Sequence, residues 1–541
     1  MRKAVRRARR IYLRGARPVR RLITDLRTRR LPDGLVLVRT AEGMRPARVR
    51  QDACPLQAMR ENLDLVCATL DAADVPYFCV RPLPGQPPTV GVPAVHRSRA
   101  LAALADAAGT GAGGAGPLFA GTDPEGPTRP LRRALPSLRT VPAVRVAAYY
   151  VSPSQTLVLG PEYGCELEFW PSEGPNLLVA PRPNPTTRTL PADDTPVEGT
   201  EDLFNPLVSP VRRSGRRYRT RREFTVRHVD DIDFPIDAVY TWVDGADPAW
   251  RARRDAALAE AGRLTEWAAG AARYTSRDEL RYSLRSLHAC APWIRHVWIV
   301  TDGQCPDWLD TGHPDVTVVD HKEIFSDPSV LPVFNSHAIE TQLHHIDGLS
   351  EHFLYLNDDF FLGRPLPPST FFEANGITRF FPSAVPVPFG TPEAEESPVH
   401  AAGMNNRRLL EDLTGRTLTL KMRHAPYALR RSLLAELEER FAEQFTATAS
   451  HRFRDCTDIS VVSSLAHYYG YLTGRAVPGT IGYTYVDLAL HRTRRKLRNM
   501  LALRQHDTFC LNDTAPTTPE QDALLRNFLE AYYPTPAPWE R

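Results

Sequence analysis

The stretch Phe353-Leu354-Tyr355-Leu356-Asn357-Asp358-Asp359-Phe360-Phe361-Leu362-Gly363 ends an apolar run in two adjacent carboxylates, and a second short apolar run follows them. At the end of a buried strand Asp358 and Asp359 repel each other and lose hydration, so such a pair persists where a cation compensates. A divalent metal bound to a nucleotide diphosphate is the commonest compensation, and Mg²⁺ or Mn²⁺ is the expected ion. The plain alternative is an exposed Asp-Asp turn between two strands. A second stretch runs Ile236-Asp237-Ala238-Val239-Tyr240-Thr241-Trp242-Val243-Asp244-Gly245. A strand opening into Tyr240, Thr241, Trp242 and Asp244 suits nucleotide recognition, since an aromatic ring can stack on a base and Gly245 allows close backbone approach. Trp242 would equally suit a core. Taken alone, His424-Ala425-Pro426 reads as a helix entry and Arg454, beside Arg452, as a solvated basic face. Asn512-Asp513 reads as a strand-end turn with a supporting role. His344-His345 has the look of a metal pair, but adjacent helical residues point about 100° apart, so the pair is read as structural.

These residues need elements to position them. Strands this apolar are usually buried on both faces, as in a parallel α/β sheet, and ligands bind beyond the carboxyl ends of such strands. Residues 236–535 alternate accordingly. Strands are expected over Ile236–Trp242, His296–Thr301, Val316–Val319, Phe353–Asn357 and Tyr483–Leu488. Helices are expected over Asp278–Ala289, His337–Ile346, Tyr427–Phe445 and Asp458–Tyr469. Upstream, residues 51–170 read as a small α/β domain of unknown role. Its helices are Leu56–Ala73 and Ser98–Ala108, and its strands lie near 75–80, 89–95, 144–151 and 157–159. The glycine-rich Gly109–Gly116 lacks phosphate-loop spacing and reads as a loop. Residues 171–235, rich in Pro, Thr, Arg and Asp, read as a linker.

A chain of 541 residues holds two or three domains. No apolar run approaches the length of a membrane span, and the N-terminus lacks the apolar core of a secretory signal. Eight scattered cysteines without CxxC spacing argue against a disulfide framework and a cysteine zinc site, and point to a reducing cytoplasm. The net charge of +4 hides an asymmetry within the basic segment 1–50, where residues 1–30 carry thirteen Lys/Arg against the single Asp25. Apolar residues at roughly helical spacing among those arginines suit a peripheral contact with anionic lipid, although Gly15 and Pro18 interrupt them. Limited aromatic interleaving and the lack of a following motif argue against nucleic acid, and a solvated basic tail is the plain alternative.

Four blocks then carry a resemblance to a known family: Ile236–Trp250; Arg277–Leu287 with Pro292-Trp293, Val300-Thr301-Asp302, Phe334–Glu340 and Leu356–Phe361; His424–Arg454; and Phe509–Asp513. In order and spacing they resemble the conserved regions of the Stealth family of sugar-phosphate transferases. That family includes bacterial capsule and exopolysaccharide phosphotransferases and the animal N-acetylglucosamine-1-phosphotransferase. The resemblance implies an α/β fold with a glycosyltransferase A-like nucleotide-sugar-binding catalytic domain. It also implies transfer of a sugar-1-phosphate from a UDP-sugar to a hydroxyl of a glycan or lipid-linked glycan, releasing UMP. It carries Ser336, Glu340, Asp359, His424 and Arg454 as residues needed for activity, and adds Arg281 to the nucleotide-sugar-binding candidates. Those residue types suit the chemistry: Arg454 offers a planar fork for phosphate, His424 can take the acceptor proton or donate a hydrogen bond to the phosphoryl group, and Ser336 and Glu340 share a helix face near its N-terminus. An ordinary metal-dependent glycosyltransferase releasing UDP and a non-catalytic glycan- or nucleotide-binding regulator are the rival readings.

Overall fold

The computed structural model describes residues 31–541, apart from residues 84, 111–116, 123–125, 194, 213, 262–269, 394, 491 and 513–516. The basic segment 1–30, most of the glycine-rich stretch and Asp513 therefore lie outside the described residues. No described helix is long and apolar enough to cross a membrane.

The chain divides into two compact units. The first runs to Val208 and includes 213–228, and the second takes residues 209–212 and Val229–Arg541. In the first, helices Pro55–Ala72 and Arg97–Thr110 accompany an eight-stranded mixed sheet. Two sequence expectations fail here. Residues 35–49, assigned to a basic segment, form the antiparallel hairpin Leu35–Thr40/Gly43–Val49. Residues 171–235, expected as a linker, are folded up to 228. Strands Val197–Thr200 and Arg217–Thr220 pair with each other, and Thr220 lies beside Cys79 in the same sheet. The composition misleads because short strands tolerate flanking prolines. The apolar side chains that anchor the stretch, Leu178, Leu190, Phe204 and Phe224, are fully buried but too widely spaced to show a period.

The second unit is α/β. Its strands β1 (Ile236–Thr241), β2 (Val297–Thr301), β3 (Val316–Asp320) and β4 (His352–Asn357) are parallel, in the spatial order β3-β2-β1-β4. Helix α1 (Glu279–Cys290) lies between β1 and β2 in the chain. Both β1 and β4 are buried on both faces except at their last residue, which accounts for the apolar side chains that dominate them. Asp237, completely buried in β1, accepts bonds from Arg295 (2.8 and 2.6 Å), Trp298 (3.0 Å) and the Ser350 amide (2.9 Å), which ties down the amino end of the sheet.

Strand order reverses at β1, whose neighbours are β2 on one side and β4 on the other. The carboxyl ends of β1 and β4, where Thr241 pairs with Asn357, thus form the switch point at which ligands bind in such sheets. The expected helix His337–Ile346 is instead two short turns, α2 (Ser336–Glu340) and a 3₁₀ turn at Leu343–His345. The expected helix from Tyr427 begins as strand β5 (Tyr427–Arg430), antiparallel to β4, before α3 (Arg431–Arg440) and α4 (Ala442–Ser450). An open sheet edge with Tyr355 opposite Tyr427 overrides local propensity there. Beyond β4, Phe360–Leu362 pairs with Thr508–Asn512, setting Cys510 opposite Phe360 and next to Asp359.

Candidate active site

A cleft of about 840 Å³ opens at the carboxyl ends of β1 and β4. Thr241 and Trp242 enter it from β1, Asp358 and Asp359 from the turn after β4, and Ser336 from the start of α2. His424 and Arg454 line it too. Glu340, one turn along α2, lies buried beneath the floor, where the Tyr355 hydroxyl donates to its Oε1 at 3.2 Å. With that proton committed, Tyr355 accepts from Thr241 Oγ1 at 2.9 Å, so β1, β4 and α2 are joined by one chain of hydrogen bonds.

Arg454 Nη2 donates to Ser336 Oγ at 2.8 Å across 118 residues of sequence. Its Nε is buried with no hydrogen-bond partner in the protein, and so is Glu340 Oε2. Burial, together with the nearby Arg273 guanidinium, lowers the Arg454 pKa to about 10. Burial likewise raises Glu340 to about 7, against the pull of Arg454. His424 packs edge-on to the Phe360 ring at 4.7 Å, and burial and Arg454 push its pKa down to about 4, so the imidazole is neutral near pH 7.

In the same cleft burial pushes the Asp358 carboxyl well above the usual range, with the Glu279 and Asp359 carboxylates adding to the shift. Three carboxylates crowd one spot, and a divalent cation is the group that relieves such crowding. Asp358 and Asp359 carry hard oxygen atoms of the kind that could hold Mg²⁺ or Mn²⁺. The ligand atoms of Asp359, His424 and Cys510 also lie within 4.8 Å of one another. However, the Cys510 thiol donates to Asp359 Oδ2 at 3.0 Å and burial holds it protonated, so it is a poor metal ligand as it stands.

Three sequence candidates do not reach the cleft. The Tyr240 ring is completely buried, with its hydroxyl 3.0 Å from Ser283 Oγ, so it holds β1 to α1 and cannot stack on a base. Asp244 caps its own loop, accepting from the Ala246 amide at 2.9 Å while its amide donates to Gln304 at 3.1 Å. Arg281 donates to Glu540 at 2.7 Å and lies over the Trp308 ring, clasping the C-terminal residues. Local sequence shows which residues cluster on one strand but not which face of it meets the cleft.

Two contributors were not anticipated. Arg273 lines the cleft beside Arg454 and adds a second positive charge. Asp458, completely buried, accepts from Asn335 Nδ2 (2.8 Å), His451 Nδ1 (2.7 Å) and the Asp455 amide (3.1 Å), with His337 Nδ1 at 3.4 Å. Since Asn335 also caps α2, this carboxylate pins the loop bearing Arg454 to the turn bearing Ser336. Its one sequence signal is an acid just ahead of Ile459, Val461 and Val462, which local patterning reads as the start of the helix expected over Asp458–Tyr469.

Comparison with known proteins bears on this arrangement. The conserved regions of Stealth proteins match here: region 1 at residues 234–262, region 2 at 273–380, region 3 at 423–471 and region 4 at 499–541. The exopolysaccharide phosphotransferase SCO6023 of Streptomyces coelicolor is 47% identical over 510 residues, covering 92% of this chain and 85% of that protein. The exopolysaccharide phosphotransferase CpsY of Mycobacterium tuberculosis is 38% identical over 504 residues, covering 92% of this chain and 91% of its own. Among solved structures, the galactosyltransferase LgtC in complex with donor and acceptor sugar analogues covers 55% of this chain and 96% of its own, at 11% identity and a TM-score of 0.29. With all four regions present in order and such identity running through nearly the whole length of its relatives, the chain belongs to the Stealth family.

Proposed function

We propose that this chain transfers a sugar-1-phosphate from a UDP-sugar to a hydroxyl of a glycan or lipid-linked glycan acceptor, releasing UMP, in exopolysaccharide synthesis. The observation that carries the reading is the Arg454–Ser336 contact. A guanidinium engaged on one side by a hydroxyl, with its Nε buried and unsatisfied, is set to receive an anion. Arg273 doubles the charge, and a neutral His424 faces the same space.

In this reading Arg454, Arg273 and Ser336 hold the phosphate that carries the sugar, and Trp242 offers a partly exposed ring for the uracil. The acceptor oxygen attacks the sugar-bearing phosphorus, and the phosphoanhydride bond to UMP breaks. The acceptor proton passes to His424 Nε2, the ring nitrogen that does not face the Tyr427 hydroxyl, which lies 3.5 Å from Nδ1. Catalysis of phosphoryl transfer rests chiefly on positioning and charge neutralisation, which is what a rigid cationic cleft supplies. Asp358 and Asp359 would hold a divalent cation, Mg²⁺ or Mn²⁺, which when bound neutralises diphosphate charge. Glu340 fixes Tyr355 and Thr241 and offsets the charge of Arg454 from below. Eight cysteines, none in a disulfide, suit a reducing compartment, so the reaction is assigned to the cytoplasm.

Incubation of the purified chain with a panel of UDP-sugars and a glycan acceptor tests the reading. The expected result is UMP accompanied by a phosphodiester-linked product. Release of UDP with a plain glycosidic product would overturn it in favour of an ordinary glycosyltransferase. Binding of UDP-sugar without turnover of any donor would overturn it in favour of a regulator.

A further inference from the structure

Away from the cleft, His344 and His345 of the 3₁₀ turn meet Glu438 of α3. Expected to diverge as neighbours on a helix, the two imidazoles instead lie 4.1 Å apart, and both direct Nε2 at one oxygen, Glu438 Oε2, at 2.7 and 2.9 Å. The His345 Nδ1 is 2.9 Å from the Ile324 carbonyl oxygen, so it carries a proton. In the neutral ring Nε2 is then a lone pair aimed at a carboxylate oxygen, a contact that needs a cation between the two atoms. A histidine that donates Nδ1–H to a backbone carbonyl and presents Nε2 is the arrangement that orients metal-binding imidazoles.

We propose that His344, His345 and Glu438 form a second metal site, for a borderline divalent ion of the Zn²⁺ class, separate from the oxygen-rich Asp358–Asp359 position. Two imidazoles and one carboxylate match the ligand set and softness that Zn²⁺ prefers over Mg²⁺. Ligand atoms around tetrahedral Zn²⁺ sit about 3.3 Å apart, so binding requires the three atoms to open by about half an ångström. Glu438, whose side chain is 30% exposed, can make that shift. The group borders an open cleft of about 570 Å³, where water can take the fourth position. Of the charges around it, Glu351 is engaged by Arg430 and Ser432, and Arg431 Nε by the His344 carbonyl, while Glu439 lies on the same wall. The ion would staple the turn that follows Ser336 and Glu340 to the helix that follows His424, bracing both segments of the active cleft without entering it.

The test uses the full chain, stripped with chelator and titrated with Zn²⁺ in excess Mg²⁺. Bound metal is counted by mass spectrometry, and folding is checked by circular dichroism. One Zn²⁺ equivalent and a higher Tm are expected for the wild type. Asp359→Asn should keep that equivalent, and His345→Ala and Glu438→Ala should lose it. No uptake by the wild type, or uptake unchanged by both substitutions, overturns the proposal; a proton on His345 then satisfies the contact. Should either variant fail to fold, Co²⁺ bound to the Asp359→Asn protein decides: intense visible bands of a tetrahedral site support the proposal, and a weak octahedral spectrum overturns it.

Discussion

Replacing Arg454 with methionine removes the guanidinium and keeps most of the stem. In the structure Nη2 is engaged by Ser336 and Nε is unsatisfied, so one or two charge-assisted bonds remain for a phosphate. Each is worth about 1.5–3 kcal/mol, so kcat/KM should fall by a factor of about 10 to 10⁴. A second consequence separates phosphate binding from general damage. Burial and the Arg454 charge together hold His424 at about 4, so losing the charge raises its pKa while burial keeps it below the ordinary histidine value. Because the neutral imidazole is the reactive form, the acid limb of the kcat/KM profile should move to higher pH in Arg454→Met. The fold should survive, since Glu340, which burial already holds at about 7 against the pull of Arg454, takes up a proton when that charge is lost, and circular dichroism checks it. The assay is UMP release against pH for wild type, Arg454→Met and Arg454→Lys. The lysine variant, which restores charge without the fork, should fall between the other two. A loss below tenfold, or an acid limb that stays in place, refutes the phosphate-holding role.

Asp359→Asn should abolish UMP formation with Tm nearly unchanged, and chelation of the wild type should do the same until Mg²⁺ or Mn²⁺ is restored; near wild-type turnover in the variant would remove this carboxylate from the mechanism. Burial would raise the Asp458 pKa, but the bonds from His337 and His451 outweigh it and hold the value at about 2. Its folded-state pKa lies below the unfolded one, so the stabilisation is present above about pH 4 and fades as the pH falls towards 2. Asp458→Asn should therefore lose about 2 kcal/mol in denaturant unfolding at pH 7 and about half of that at pH 3, and a gap that does not change with pH would contradict this linkage. Limited proteolysis should cut first at residues 229–233, where Val229 is fully exposed, and spare 171–227; early cleavage within 171–227 would show that those strands are not stably folded.

Much of the second unit is written in local patterns, because a strand buried on both faces is mostly apolar, and a polar residue such as Asp237 stands in it only where hydrogen bonds satisfy it. Ile236–Thr241, Val297–Thr301 and Phe353–Asn357 were therefore legible as strands, and the Asp358–Asp359 pair as the polar end of the last of them, where the cleft opens. The ordered blocks of residues that belong to the Stealth family were legible too, since chemistry constrains residue type wherever the chain happens to run. Partnership was not legible. That β1 lies beside β4, with Thr241 against Asn357, depends on which strands bury each other's faces, and no local period encodes it. The same limit hid the inward turn of Tyr240, the strand at Tyr427–Arg430 and the folded stretch before residue 228, where isolated large side chains fill a core without any repeat. Arg454 reaches Ser336, and His344 and His345 reach Glu438, only because packing brings distant segments within a few ångströms. Sequence thus determined which charged and titratable groups this protein carries. Tertiary structure alone decided which of them share a cleft, and how burial, by stripping water from their charges, sets the protonation in which they meet a substrate.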